Sequence, residues 1–102
     1  MAKPHPTNAV LVGRKPIMNY VLAALRMLAH EGLEEVVIKA RGANIYRAVE
    51  AAERVKRSMT NVRVKTVNIY SEEIVDMKGN KRRVSSIEIV FKKTHPEEKG
   101  KH

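Results

Sequence analysis

The apolar pattern of residues 8–59 switches between strand-like and helix-like periods, and this alternation restricts the fold more than any other feature. "NAVLV" at 8–12 is a short continuous apolar run, the pattern of a buried strand. After Gly13-Arg14-Lys15, the residues Met18, Val21, Leu22, Leu25, Leu28 and Ala29 fall at i, i+3, i+4 and i+7, which predicts an amphipathic helix over 16–31. Pro16 suits its first turn, where a missing N–H costs nothing, and Gly32 suits its end. "EEVVIKA" at 34–40 is short and β-branched, a second strand. "RGAN" at 41–44 is a turn, and Ile45, Ala48, Val49, Ala52, Val55 and Met59 predict a second helix over 44–59. On its outer face Glu50 stands four residues before Arg54, and Glu53 four before Arg57, the favourable order for a solvated surface.

Two strands remain, 62–76 and 81–93, around a Gly79-Asn80 turn. In the first of them the apolar phase changes between Val64 and Val67, which predicts a bulge or a change of buried face. The element order β-α-β-α-β-β contains two βαβ-type connections, which require parallel strands. The expected architecture is a two-layer α/β sandwich: a four-stranded mixed sheet, two helices on one face and a long protruding hairpin. With 102 residues, one domain is expected, at 8–93. The proline-containing residues 1–7 read as a flexible arm, and the polar residues 94–102 as a disordered tail.

Charge narrows the function. Lys and Arg number 20 against 11 Asp and Glu, a net charge of +9. Such an excess favours polyanions, nucleic acid ahead of an acidic membrane surface. No apolar run approaches ~18 residues, so no membrane span is expected. The chain lacks cysteine, which excludes disulfides and cysteine-ligated zinc. "MAKPHPTN" has no apolar core and does not read as a signal peptide, so an intracellular protein is expected.

Parallel βα units bring both βα loops to the carboxyl edge of the sheet, where ligands of α/β sheets bind. Arg14 and Lys15 lie in the first loop, Arg41, Gly42 and Asn44 in the second, and Arg47 just inside the second helix. Helix N-termini add positive potential at the same edge. A phosphate between these groups is the expected ligand. The hairpin tip carries Lys78, Asn80, Lys81, Arg82 and Arg83, a basic ribbon suited to a groove of DNA or to its phosphates. Enzymatic readings are poor: His5, His30, His95 and His102 show no metal-ligand spacing, no nucleophile motif surrounds any serine, and "GRKP" lacks the features of a phosphate-binding Walker loop. No catalytic residue, metal or cofactor is expected.

Three segments, "NAVLVGRKPIMNYVLAALRML", "VVIKARGANIYRAVEAAERV" and "RRVSSIEIVFKK", resemble Alba, the small basic archaeal chromatin proteins. The resemblance spans residues 8–93 in order and spacing. It implies a dimer with the β-α-β-α-β-β fold, sequence-independent binding to double-stranded DNA and to RNA, and a cytoplasmic, chromosome-associated location. It places Arg14 and Lys15 in a central contact near the two-fold, Arg41 beside them, and Lys78 to Arg83 on arms along the minor groove. Beside the homodimer it leaves a heterodimer with a paralogue open. The first of the paired cations is a lysine in the best-known members, and its acetylation weakens DNA binding; here it is Arg14, which cannot be acetylated, while Lys15 remains. Ala43 stands where the family often has another basic residue. Met59 stands where a phenylalanine mediates dimer–dimer contacts in some members. Two functions remain open at this point: a DNA-coating chromatin protein, and an RNA-binding subunit of a ribonucleoprotein.

Overall fold

The computed structural model of the chain describes residues 8–95. The first apolar run forms β1 (Ala9–Leu11), followed by α1 (Ile17–Ala29) and β2 (Glu35–Arg41). One 3-10 turn, Gly42–Asn44, leads into α2 (Ile45–Ser58), and the chain ends in two long strands, β3 (Val62–Val75) and β4 (Lys81–Lys93). The sheet order is β1-β2-β4-β3. β1 lies parallel to β2, and β4 is antiparallel to both β2 and β3. β3 therefore runs parallel to β2 with β4 between them, so both helices sit in connections between parallel strands, as the element order requires.

Strand alternation decides which side of the sheet is covered. Val10 and Val12, Val36 and Ile38, and Ile87, Ile89 and Phe91 share one phase and are buried against Val21, Ala24 and Leu28 of α1 and Ala48, Ala51, Ala52 and Val55 of α2. Phe91, Leu28, Ile38, Val21, Val36 and Val55 are the largest fully buried side chains, each stabilising the fold by about 1.5–3 kcal/mol. The alanines let α2 lie close to the sheet. The opposite face carries Glu35, Lys39, Glu88 and Lys92 and no helix.

Three details differ from the sequence reading. Met18 and Leu22 of α1 are 44% and 52% exposed. The apolar arc of α1 is wider than the sheet covers, so Ala24 is buried and these two form an outer stripe. On α2, among the described residues, the Glu50–Arg54 pair forms at 3.3 Å and the Glu53–Arg57 pair does not. The hairpin closes through Met77, Lys78 and Gly79, not through a Gly79-Asn80 turn: Asp76 N–H donates to the Asn80 carbonyl at 2.9 Å, and Gly79 takes φ 85°. Glycine is needed at 79 because that left-handed conformation crowds any Cβ.

The expected bulge is present, as a register shift between Val64 and Thr66. β2 pairs with β4 only from Ser86 to Lys92. Beyond this, Ser71↔Ser85 to Val75↔Lys81 pair only with each other, a free arm of about 17 Å at ~3.4 Å per residue. It contributes to a longest dimension of 54 Å. At the other end, Thr94 N–H donates to the Asn61 carbonyl at 2.9 Å, and His95 meets Glu34 at 2.8 Å. The proposed arm at 1–7 and the rest of the polar tail, 96–102, lie outside the described residues. No described helix is long and apolar enough to cross a membrane.

Candidate nucleic-acid interface

Because β1 and β2 are parallel, the loops that follow them leave the sheet at one edge. The two loop regions meet directly: Arg47, in the first turn of α2, donates from Nε to the Gly13 carbonyl at 2.8 Å. Arg14 and Lys15 are exposed and, among the described residues, have no carboxylate within ion-pair distance. They precede α1, whose N-terminus has Pro16 in the capping position, no capping side chain and no acidic residue in the first turn. Two cations at that end of a helix oppose its dipole, at a cost of about 0.3–1 kcal/mol each. An anion held between them and the helix end reverses the sign of this interaction.

The second loop contributes differently from expectation. Gly42 has φ 59°, which opens the 3-10 turn, and Asn44 occupies the capping position of α2 without using its side chain as a cap. Arg41 is in strand phase with Lys39, not with Ile38. Its guanidinium therefore lies on the helix-free face, where Nε is 3.8 Å from Glu72. That face holds a mixed-charge network: Lys39 pairs with Glu88 at 3.3 Å, the Tyr70 hydroxyl donates to Glu88 at 2.9 Å, and the buried Ser86 hydroxyl donates to Glu72. Burial, reinforced by the Glu88 carboxylate, pushes the Tyr70 hydroxyl above its ordinary pKa. At the far end of β2, the Lys65 ammonium bonds Glu35 at 2.8 Å and holds that carboxyl below its usual range. A depression of about 270 Å³ on this face is lined by Leu11, Lys39, Arg41, Tyr70 and Glu72. Its charges largely satisfy one another, so it is a poor anion site.

The hairpin presents the second concentration of free charge. Lys78, Asn80, Lys81, Arg82 and Arg83 are all exposed. Lys81 and Arg83 follow the strand phase of the helix side, with Glu73 across from Arg83, and Arg82 follows that of the helix-free side with Glu72, so the arm's net positive charge lies on the helix side and at the tip. Asp76 stiffens the tip: its Oδ1 accepts the N–H groups of Lys78 and Asn80 at 2.9 and 2.8 Å. Its carboxylate is thereby turned into the turn and away from the flanking cations. Met59, at the end of α2, is half-buried against the core. Among the described residues no group of three or more His, Asp or Glu is placed to hold a metal ion.

Tyr20, which no motif in the sequence singles out, also takes part in the loop. Its hydroxyl accepts the Lys15 N–H at 3.0 Å. A Cβ at Gly13 would lie 3.4 Å from that hydroxyl, so the loop passes close beside it. The signal in the sequence was the five-residue spacing from a loop lysine to a tyrosine on the following helix.

Residues 8–71, more than half of the chain, match the family model Alba. The chain belongs to the Alba family. It is 51% identical over 87 residues to the DNA/RNA-binding protein Alba of Methanocella arvoryzae, covering 84% of this chain and 90% of that one. The protein of the same name from Nanoarchaeum equitans is 52% identical over 83 residues, covering 78% and 91%. Among solved structures, Alba from Thermoplasma volcanium superposes with a TM-score of 0.77 at 33% identity, over 84% of this chain and all of that one. ALBA1 from Trypanosoma brucei does so with a TM-score of 0.69 at 30% identity, over 89% and 73%. The mixed four-stranded sheet and the two helices are thus the Alba fold, as the three sequence segments implied.

Proposed function

We propose that this protein coats double-stranded DNA without sequence preference, as a homodimer, and that it binds structured RNA through the same surface. The observation that carries this reading is the distribution of unpaired cations: Arg14 and Lys15 at the loop edge and Lys78, Lys81, Arg82 and Arg83 on a projecting arm. Each is exposed, and among the described residues none has a carboxylate within ion-pair distance, although Glu73 stands across the hairpin from Arg83. Cations so placed neutralise phosphates and release counterions, a sequence-independent source of affinity. Little else on these surfaces reads base edges. The names of the two archaeal relatives, DNA/RNA-binding proteins, support both targets.

Stacking on single strands is a minor contribution. Phe91 is fully buried, Tyr20 and Tyr70 hold hydrogen bonds within the fold, and Tyr46 alone is both largely exposed and free of such a bond among the described aromatic residues. Duplexes and folded RNA are therefore favoured over unpaired strands.

The homodimer is supported by an apolar surface that the single chain leaves open. On the helix side of the sheet, Val67 is 54% and Ile69 80% exposed, with Ile45 and Ile87 beside Ile69. A patch of this kind at the root of the arm suits an isologous contact with a second copy, which doubles the cationic edge across a two-fold. Met59 offers part of its surface for contacts between neighbouring dimers; its partial burial makes such contacts weaker than an aromatic side chain would.

Competition at one fixed salt concentration tests the choice of target. Labelled duplex DNA of arbitrary sequence is displaced by unlabelled duplex and by folded RNA. Comparable displacement by both supports the reading, and displacement by RNA alone supports the ribonucleoprotein subunit instead.

A further inference from the structure

Arg47 differs from Arg14 and Lys15 at the loop edge: its guanidinium is engaged by the protein's own main chain. Its Nε–H donates to the Gly13 carbonyl at 2.8 Å, and its Nη2 donates to the Lys15 carbonyl. The two acceptors flank Arg14. From the other side, the Tyr20 hydroxyl accepts the Lys15 N–H at 3.0 Å. One side chain from α2 and one from α1 thus hold the backbone on both sides of Arg14. A guanidinium suits this role because its planar fork offers several fixed donors, enough for two carbonyls at once.

The need for such a device follows from the loop's content. Arg14 and Lys15 are adjacent like charges in front of a helix end that repels them. Left to itself, the loop spreads its charges into solvent, and binding must then order it at the expense of affinity. A loop already fixed incurs little of that loss. We propose that Arg47 and Tyr20 are positioning residues that hold Arg14 and Lys15 in the binding arrangement, and that Arg47 itself neutralises no phosphate. The proposal rests on the nucleic-acid reading of this edge and reassigns Arg47 within it, from contact to brace.

A double-mutant cycle separates the two roles. Duplex affinity is measured for the wild type, Arg47→Ala, Tyr20→Phe and the pair Arg14→Ala/Lys15→Ala, and for each single change added to that pair. Bracing predicts that Arg47→Ala weakens binding about tenfold and Tyr20→Phe about threefold in the wild type. In the background that lacks Arg14 and Lys15, each should cost less than about twofold. Amide exchange at Lys15 should accelerate in both single variants, a readout that a phosphate contact does not produce. Tyr20→Phe changes neither charge nor ring, so it carries the test if Arg47→Ala lowers the melting temperature. Equal losses from Arg47→Ala with and without Arg14 and Lys15, together with unchanged Lys15 exchange, would overturn the proposal. If instead the Arg14→Ala/Lys15→Ala pair leaves wild-type affinity intact, the nucleic-acid reading of the edge fails, and the brace fails with it.

Discussion

Ile69→Glu should convert the proposed dimer to folded monomers. In the single chain this side chain is 80% exposed, so a carboxylate there stays hydrated and the fold is not strained. In the proposed dimer both copies bring this carboxylate into one apolar contact, beside Val67 and Ile45. Two desolvated like charges with no partners cost several kcal/mol, which weakens self-association by about a hundredfold or more. Sedimentation velocity reads the change, and a melting curve near that of the wild type shows that the protomer is intact. Duplex affinity should fall in parallel, because a monomer engages with one set of cations where a dimer engages with two. If Ile69→Glu sediments like the wild type, the subunit contact lies elsewhere, and the exposed stripe of Met18 and Leu22 on α1 becomes the surface to examine.

Arg14→Ala/Lys15→Ala should lower duplex affinity by about 10–100-fold, equally on unrelated sequences. Two charges leave each chain, four from the proposed dimer, all from the edge where the two helix N-termini add to the potential. Fold stability should stay level or rise slightly, because the substitutions remove a mismatch with the α1 dipole. Binding to two duplexes of different sequence and equal length provides the comparison. A loss confined to one sequence would show base readout and contradict the backbone-contact account.

Much of this protein was legible in its sequence because each element carries its own period. Strand-like and helix-like patterns alternate cleanly through residue 59, and the phase change after Val64 located the bulge. The convergence of the first loop with the start of α2 followed from the parallel pairing alone. What escaped was direction. Met18 and Leu22 belong to an apolar arc that also includes Val21 and Leu28, and periodicity cannot say how much of the arc one sheet covers. Arg41 ends a strand, and the side on which its guanidinium falls depends on strand phase, which places it opposite Glu72 on β3. Arg47 looked like one more cation because its acceptors are backbone carbonyls, and backbone carbonyls leave no trace in a sequence. Tyr20 was hidden for a related reason: it binds a main-chain N–H of a loop whose path only the fold defines.

The family resemblance was informative where composition was not. A charge of +9 suggests polyanions in general. Three ordered segments with matching spacing identified a fold, and that fold sets the cationic loops and the hairpin at defined places on one molecule. The position of Arg14 also bears on regulation. An arginine there keeps its charge under lysine acetylation, which leaves Lys15 as the one lysine of the pair.

In the proposed dimer, affinity comes from phosphate neutralisation by the loop edge and the two arms. The most direct test is the salt dependence of duplex binding, measured between about 50 and 200 mM on two unrelated sequences. With six or more phosphates neutralised per dimer, affinity should fall by about a thousandfold or more over that range, with the same slope on both duplexes. An affinity that changes by less than about threefold, or slopes that differ between the sequences, would contradict the account.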